Sequence, residues 1–200
     1  MNKNAMYKIS YGLYILSVKE GDKDNGCITN TVIQVTDTPC RISVSLSKQN
    51  YTTEMLLRTK QFNVSTLTVD TPFETFKNFG YQSGRTVEKF DCPNPKRSQN
   101  GIIYASKYGN SYLSCVVYDT IDMGTHITFL ADVIDAEVLS EVQSVTYEYY
   151  SKNIKPSFAK TEIKKGYRCK ICGYIYEGEP LPDDFICPIC KHGAADFEKL

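Results

Sequence analysis

Cys169 and Cys172, then fourteen residues, then Cys187 and Cys190 carry the plainest chemistry in the sequence. A two-residue gap lets both thiolates of a pair turn toward one ion, and two such pairs make a tetrahedral S4 set. Gly173 follows the first pair, where the turn favours a residue that tolerates positive φ. Soft thiolates at this spacing accept zinc or iron alike. His192, two positions past a complete ligand set, reads as a solvated surface residue. Cys27, Cys40, Cys92 and Cys115 have no C-x-x-C partner and read as small buried apolar residues.

A four-thiolate site needs elements to hold it, and the chain divides accordingly. Residues 166–200 number only 35, too few for a hydrophobic core to suffice, so this segment must fold around its metal. It sets Arg168, Lys170, Lys191 and Lys199 against Glu177, Glu179, Asp183, Asp184, Asp196 and Glu198, an excess of two negative charges. Such a face suits docking to a basic partner. Residues 151–165 lose periodicity and become lysine-rich, as an interdomain linker does. The expected domains are therefore 1–150, a linker over 151–165, and 166–200.

Upstream, segments 12–18, 27–35, 41–46, 62–67, 111–119 and 126–139 are rich in β-branched and aromatic residues and predict strands. Arg41 to Leu46 alternates cleanly and should bury one face. Helices are predicted over Thr52–Thr59 and after Thr71, with Pro72 at the first helical position, Glu74 completing a capping box and Gly80 closing the helix. A third is expected over Val142–Tyr150. Closely spaced strands with few helices favour a mainly β, antiparallel barrel over a doubly wound sheet. No G-x-G-x-x-G or P-loop motif is present, so a nucleotide cofactor would bind another way.

Composition narrows the function. The 200 residues are 42% hydrophobic and 12% aromatic, with 23 basic and 23 acidic side chains and no formal net charge. This argues against a nucleic-acid partner bound by phosphate neutralisation. No run approaches a membrane span of about 18 apolar residues. The first residues lack the apolar core and cleavage pattern of a secretory signal, so a cytoplasmic location and reduced cysteines are expected.

The words between the metal ligands go further than their spacing. Tyr-Arg-Cys-Lys-Ile-Cys-Gly-Tyr-Ile-Tyr (167–176) and Leu-Pro-Asp-Asp-Phe-Ile-Cys-Pro-Ile-Cys (181–190) resemble rubredoxin, with an aromatic shell of Tyr174, Tyr176, Phe185 and Phe197. The inter-pair loop is shorter than in free-standing rubredoxins, and Phe185 stands where tryptophan is usual. The resemblance implies one iron ion in an Fe(Cys)4 one-electron carrier, with zinc occupancy the alternative. A single iron cannot accept hydride, whereas a flavin takes two electrons from a nicotinamide and returns them singly.

The first domain resembles the FMN-binding split-barrel family of flavin reductases. The match runs through Gly26 to Thr31, Pro39 to Leu46, Ser47 to Thr52, Phe62 to Leu67, Lys77 to Gly84 and Gly124 to Val133. It implies an antiparallel split β-barrel with short helices, NAD(P)H as donor, FMN as cofactor and a homodimer. Thr29, Asn30 and Thr31 would line the isoalloxazine edge. Ser45, Leu46, Ser47 and Lys48 would follow the flavin toward its phosphate, held by Lys48, Asn50 and Thr52 before a helix N-terminus. Ser83, Gly84 and Arg85 would form a second contact. His126 resembles the family's histidine near flavin and nicotinamide, although Thr125 replaces the usual acidic neighbour and Ala131 a common glycine.

The fusion resembles the high-molecular-weight rubredoxins of anaerobic bacteria, which implies electron transfer onward to a flavodiiron protein that reduces oxygen or nitric oxide. Two other functions compete: a reductase that releases reduced flavin, and a zinc-ribbon interaction module on a β-barrel scaffold.

Overall fold

A computed structural model describes residues 2–156, 166–190 and 192–200. Seven strands, β1 (Tyr14–Glu20), β2 (Lys23–Thr29), β3 (Ile33–Asp37), β4 (Cys40–Ser47), β5 (Gln61–Leu67), β6 (Gly109–Asp122) and β7 (His126–Val138), form one antiparallel sheet in the order β2-β1-β5-β6-β7-β4-β3. Its two edges, β2 and β3, are joined by Asn30 to Val32 alone. Seven flat strands at ~4.8 Å spacing would hold their edges roughly 29 Å apart, while the chain from Thr29 to Ile33 reaches about 14 Å. The sheet must therefore curl until its edges nearly meet, as the expected split barrel requires. Side chains close the seam: Thr31 Oγ1 donates to the Ser45 carbonyl at 2.7 Å and accepts from the Ser45 N–H at 3.0 Å. That stitch breaks the single strand expected over 27–35 into β2 and β3.

β4 shows how the pattern sets the faces. Ile42, Val44 and Leu46 are buried, and Ser43, Ser45 and Ser47 lie on the other face. Register pairs these serines with Leu130, Thr128 and His126 of β7. The inward residues join Leu16, Val18, Phe62, Val64, Cys115 and Phe129 in the barrel core, which α1 (Tyr51–Thr59) caps with Met55 and Leu56. Lys60, left-handed at φ 57°, ends α1. Asn63 is buried and satisfied: its amide donates to Ser98 Oγ and the Ile102 carbonyl, both at 2.8 Å, and its oxygen accepts from Asn100 and Ser114, both at 2.9 Å. This network pins the loop between α2 and β6 onto β5.

α2 (Phe73–Tyr81) buries Phe76 and Phe79 in a second core with Leu13, Ile15, Leu67, Val145 and Tyr150. Its ends differ from the expected ones. Pro72 is the N-cap, and Thr71 is buried with its hydroxyl unpartnered, so no capping box forms. Gly80 lies inside the helix, because the buried Lys89 Nζ donates to the Asn78 carbonyl and, at 2.5 Å, to that of Gln82. These bonds occupy acceptors that a helix C-terminus leaves open. The helix expected over 142–150 is displaced to Tyr147–Tyr149 and Tyr150–Ile154. Residues 143–145 instead extend beside β1 and β5, with Val145 N–H on the Leu67 carbonyl at 2.8 Å and Val69 N–H on that of Gln143 at 3.0 Å.

Cys27 and Cys115 are buried as expected, and burial pushes the Cys27 thiol up to about 11. Cys40 and Cys92 are exposed, contrary to expectation. Cys40 opens β4 beside the edge strand β3, and Cys92 lies in the loop after α2, beyond either core.

Lys89 has a measurable consequence. It is 4% exposed, and burial lowers its ammonium to about 8. An unfolded lysine holds its proton up to about 10.4, so between these values the unfolded chain binds more protons. Lys89 is expected to contribute a rise in stability of roughly 1 to 3 kcal/mol across that window. Urea unfolding from about pH 7.5 to 10 should show the wild type gaining that much relative to Lys89→Met; an unchanged difference between the two would remove Lys89 as the cause.

The remaining strands, β8 (Tyr167–Cys169), β9 (Ile175–Tyr176) and β10 (Phe197–Lys199), form a separate sheet in the order β10-β8-β9. The expected linker overlaps the described chain over 151–156; residues 157–165 lie outside the described residues. Among the described residues no helix is long and apolar enough to cross a membrane.

Candidate functional site

The four sulfurs of Cys169, Cys172, Cys187 and Cys190 lie within 4.8 Å of one another, and all four residues are buried. Cys169 to Cys190 and Cys172 to Cys187 are each 3.5 Å apart, Sγ to Sγ. A tetrahedron of sulfurs ~2.3 Å from a central ion has edges of about 3.8 Å, so the set fits one metal. Backbone N–H groups of Tyr174, His192, and Ile189 with Cys190 point to the sulfurs of Cys172, Cys190 and Cys187 respectively. Burial pushes Cys172 up to about 11 and raises Cys190 as well, so these thiols need a cation to replace their protons. Gly173 turns at φ 84° with open space where a Cβ would sit.

The aromatic shell read from sequence assembles on this centre. The Phe185 ring lies 4.6 Å from Tyr176, 5.4 Å from Phe197 edge-on and 6.4 Å from Tyr174, centroid to centroid. His192 is not the freely solvated residue expected. It is half-buried, its Nδ1 is 3.0 Å from the Cys190 carbonyl, and its own carbonyl accepts from Cys187 N–H at 2.8 Å.

The candidate flavin residues gather on the outer face of β4 and the turn after it. Ser45 Oγ lies 2.7 Å from Thr128 Oγ1, and Thr29 Oγ1 lies 3.1 Å from Thr31 Oγ1. Asn30 sits at the seam between them. Ser47 faces His126 across the β4–β7 pair, and the exposed His126 has Nδ1 2.9 Å from Thr125 Oγ1. Lys48 N–H donates to the Thr125 carbonyl at 3.0 Å, and its ammonium reaches Asp122 at 2.7 Å. That ammonium and the Gly124 N–H hold the Asp122 carboxyl below its usual range. Asn50 takes the N-cap of α1 and its side chain makes no capping bond. Leu46 and Thr52 point inward, which leaves only their backbone to this face.

Residues 83–85 reach the same helix end. Arg85 stacks over Tyr51, 4.4 Å from the ring centroid, and pairs with Glu54 in the first turn of α1. Gly84 must be glycine: a Cβ there would stand 2.0 Å from Asn25 Oδ1, a buried oxygen without a partner. Asn25 Nδ2 in turn donates to Thr52 Oγ1 at 3.1 Å. Two cations, an unengaged amide and the open amides of a helix N-terminus fit the phosphate of a flavin nucleotide. Asp122, Glu54, Tyr51, Asn25 and Thr128 were not among the site residues expected from the sequence. Each is a partner of a residue that was read, and pairing across distant strands leaves no local mark.

Residues 6–157 match the flavin reductase like domain family, and residues 167–198 match the rubredoxin-like domain of rubrerythrin. The chain is 35% identical over its full length to a high molecular weight rubredoxin of Moorella thermoacetica, also covered in full. It is 36% identical, over 75% of this chain and 89% of the relative, to a ferric-chelate reductase (NAD(P)H) of Archaeoglobus fulgidus. An FMN-binding protein from Thermus thermophilus superposes with TM-score 0.62 at 18% identity, over 66% of this chain and 73% of that one, a likeness of fold. A split barrel and a four-cysteine module in one chain, each matched by its own family, place this protein among the flavin reductase-like oxidoreductases fused to a rubredoxin-like domain, the family of the high-molecular-weight rubredoxins.

Proposed function

We propose that the protein is an NAD(P)H-dependent electron-transfer flavoprotein, with domains at 1–150 and 166–200 joined by a linker over 151–165. The observation that carries this reading is a buried four-thiolate centre in the same chain as a flavin reductase-like barrel. FMN would lie along Thr29 to Thr31 and Ser45 to Ser47, with its phosphate at Lys48, Asn50, the amide of Thr52 and Arg85, and Ser83 and Gly84 alongside. When bound, FMN accepts hydride from NAD(P)H and passes electrons singly to an iron held by the four cysteines. His126, exposed at the rim, would orient the nicotinamide against the flavin.

The donor is supported by the similarity to the Archaeoglobus ferric-chelate reductase (NAD(P)H), and FMN by the likeness to the FMN-binding protein of Thermus. Ile33 and Val35 on β3 and Ile121 and Met123 at the β6–β7 tip are exposed, the apolar surface a homodimer would cover. The acceptor we assign is a flavodiiron protein in the cytoplasm, docking on the acidic module; this rests on the family resemblance and that charge.

The double change Lys48→Ala, Asn50→Ala tests the phosphate site. It removes a charge-assisted contact and a hydrogen bond, worth together roughly 2 to 4 kcal/mol, or about 30- to 1000-fold in Kd for FMN. Titration of the apoprotein should show that weakening. Unchanged affinity would move the phosphate away from this turn and leave Arg85 as the next residue to change.

A further inference from the structure

Tyr81, the last residue of α2, belongs to neither the flavin contacts nor the metal ligands, yet it touches the metal centre. Its half-buried ring packs against the buried cluster of Cys169, Cys172, Cys187, Cys190 and Phe197. A small cavity of about 170 Å³ continues this contact, lined by Tyr81, Gln82, Ser83, Thr86 and Val87 on one side and by Cys190 and His192 on the other. The Tyr81 hydroxyl is 2.8 Å from that of Tyr150, itself buried and 4.5 Å from Phe76, centroid to centroid. Tyr150 begins the helical turn to Ile154, from which the chain leaves for the module. Lys89 fixes the same end of α2 through the Asn78 and Gln82 carbonyls.

We propose that Tyr81 is the seat on which the four-cysteine module docks in its own chain, and that residues 81–85 form the bridge between the metal centre and the flavin site. One residue, Gln82, separates Tyr81, against the thiolates, from Ser83, at most about 7 Å of backbone. Arg85 then anchors the far end on Tyr51 and Glu54 of α1. An aromatic ring laid on the thiolate shell excludes water there and holds the centre in one orientation, which a lysine-rich linker alone does not do. The role of the bridge in electron transfer rests on the function proposed above; the seat itself does not.

The test uses the full chain. In zinc-loaded protein, hydrogen exchange of segments 79–90 and 184–190 is expected to quicken about tenfold in Tyr81→Ala, with β4 and β7 unchanged, and to stay near wild type in Tyr81→Phe, which keeps the ring. Unaltered exchange of 184–190 in Tyr81→Ala would overturn the seat. If exchange in β4 and β7 shows that this variant has lost the barrel, Val87→Glu, on the rim of the same cavity and outside both cores, carries the same expectation and the same refutation. In iron-loaded, FMN-bound protein, Tyr81→Ala is expected to slow iron reduction by NAD(P)H about tenfold while flavin reduction keeps its rate. An iron rate equal to wild type would overturn the bridge. Absence of iron reduction in the wild type would refute the proposed function, and the exchange result would still decide the seat.

Discussion

Replacing Cys187 with serine is expected to abolish the iron-thiolate colour and unfold residues 166–200 in one step. The four sulfurs are the buried centre of this module, with Phe197 the one other buried side chain of its cluster and the rest only partly covered. Structural four-ligand sites contribute about 10 to 16 kcal/mol of binding free energy, which in so small a domain is folding free energy. Serine is a harder and far less acidic ligand, and the neighbouring thiols, raised by burial, would then be stranded as neutral groups without an ion. The visible spectrum and limited proteolysis report the two losses. Strands β1–β7, with their separate cores, should keep their melting transition. A variant that kept the spectrum of a tetrathiolate iron site would refute the ligand assignment.

Separating the halves is expected to separate their chemistry. A chain ending near Ile163 should still oxidise NAD(P)H with free flavin or oxygen as sink, because the outer face of β4, the first turn of α1 and residues 83–85 all remain. The segment from Lys164 to Leu200 should stay oxidised under the same donor, because a one-electron site cannot take a hydride. Mixing the pieces should restore iron reduction only slowly. Covalent attachment through a short linker supplies an effective concentration of about millimolar, and micromolar mixtures fall roughly a thousandfold below it. Reduction of the isolated segment by NAD(P)H at the rate of the intact protein would contradict this division of labour.

Much of this was legible in the residues. The alternation of Arg41 to Leu46 set the inward face of β4 and hence the outward serines, and C-x-x-C spacing picked out the four cysteines whose sulfurs meet at one centre. What stayed hidden depended on contacts between distant segments. The seam at Thr31 exists because its hydroxyl finds the backbone of Ser45, so a run of β-formers became two strands. α2 runs past Gly80 because Lys89, eight residues beyond the helix, occupies its last carbonyls. Residues 143–145 extend because the ends of β1 and β5 offer them hydrogen-bond partners. Cys40 is exposed although it shares the parity of Ile42 and Val44, because it stands at the very start of β4, and Cys92 because it lies in a loop, which composition alone does not tell.

In the proposed function electrons cross the chain in order, from donor through the flavin site to the four-cysteine centre. Anaerobic stopped-flow mixing of NAD(P)H with the full-length, FMN-bound, iron-loaded protein follows both chromophores at once. Flavin absorbance is expected to fall first and the iron-thiolate bands second, with the second phase absent from FMN-free protein. Iron bleaching at the same rate with and without FMN would contradict the account.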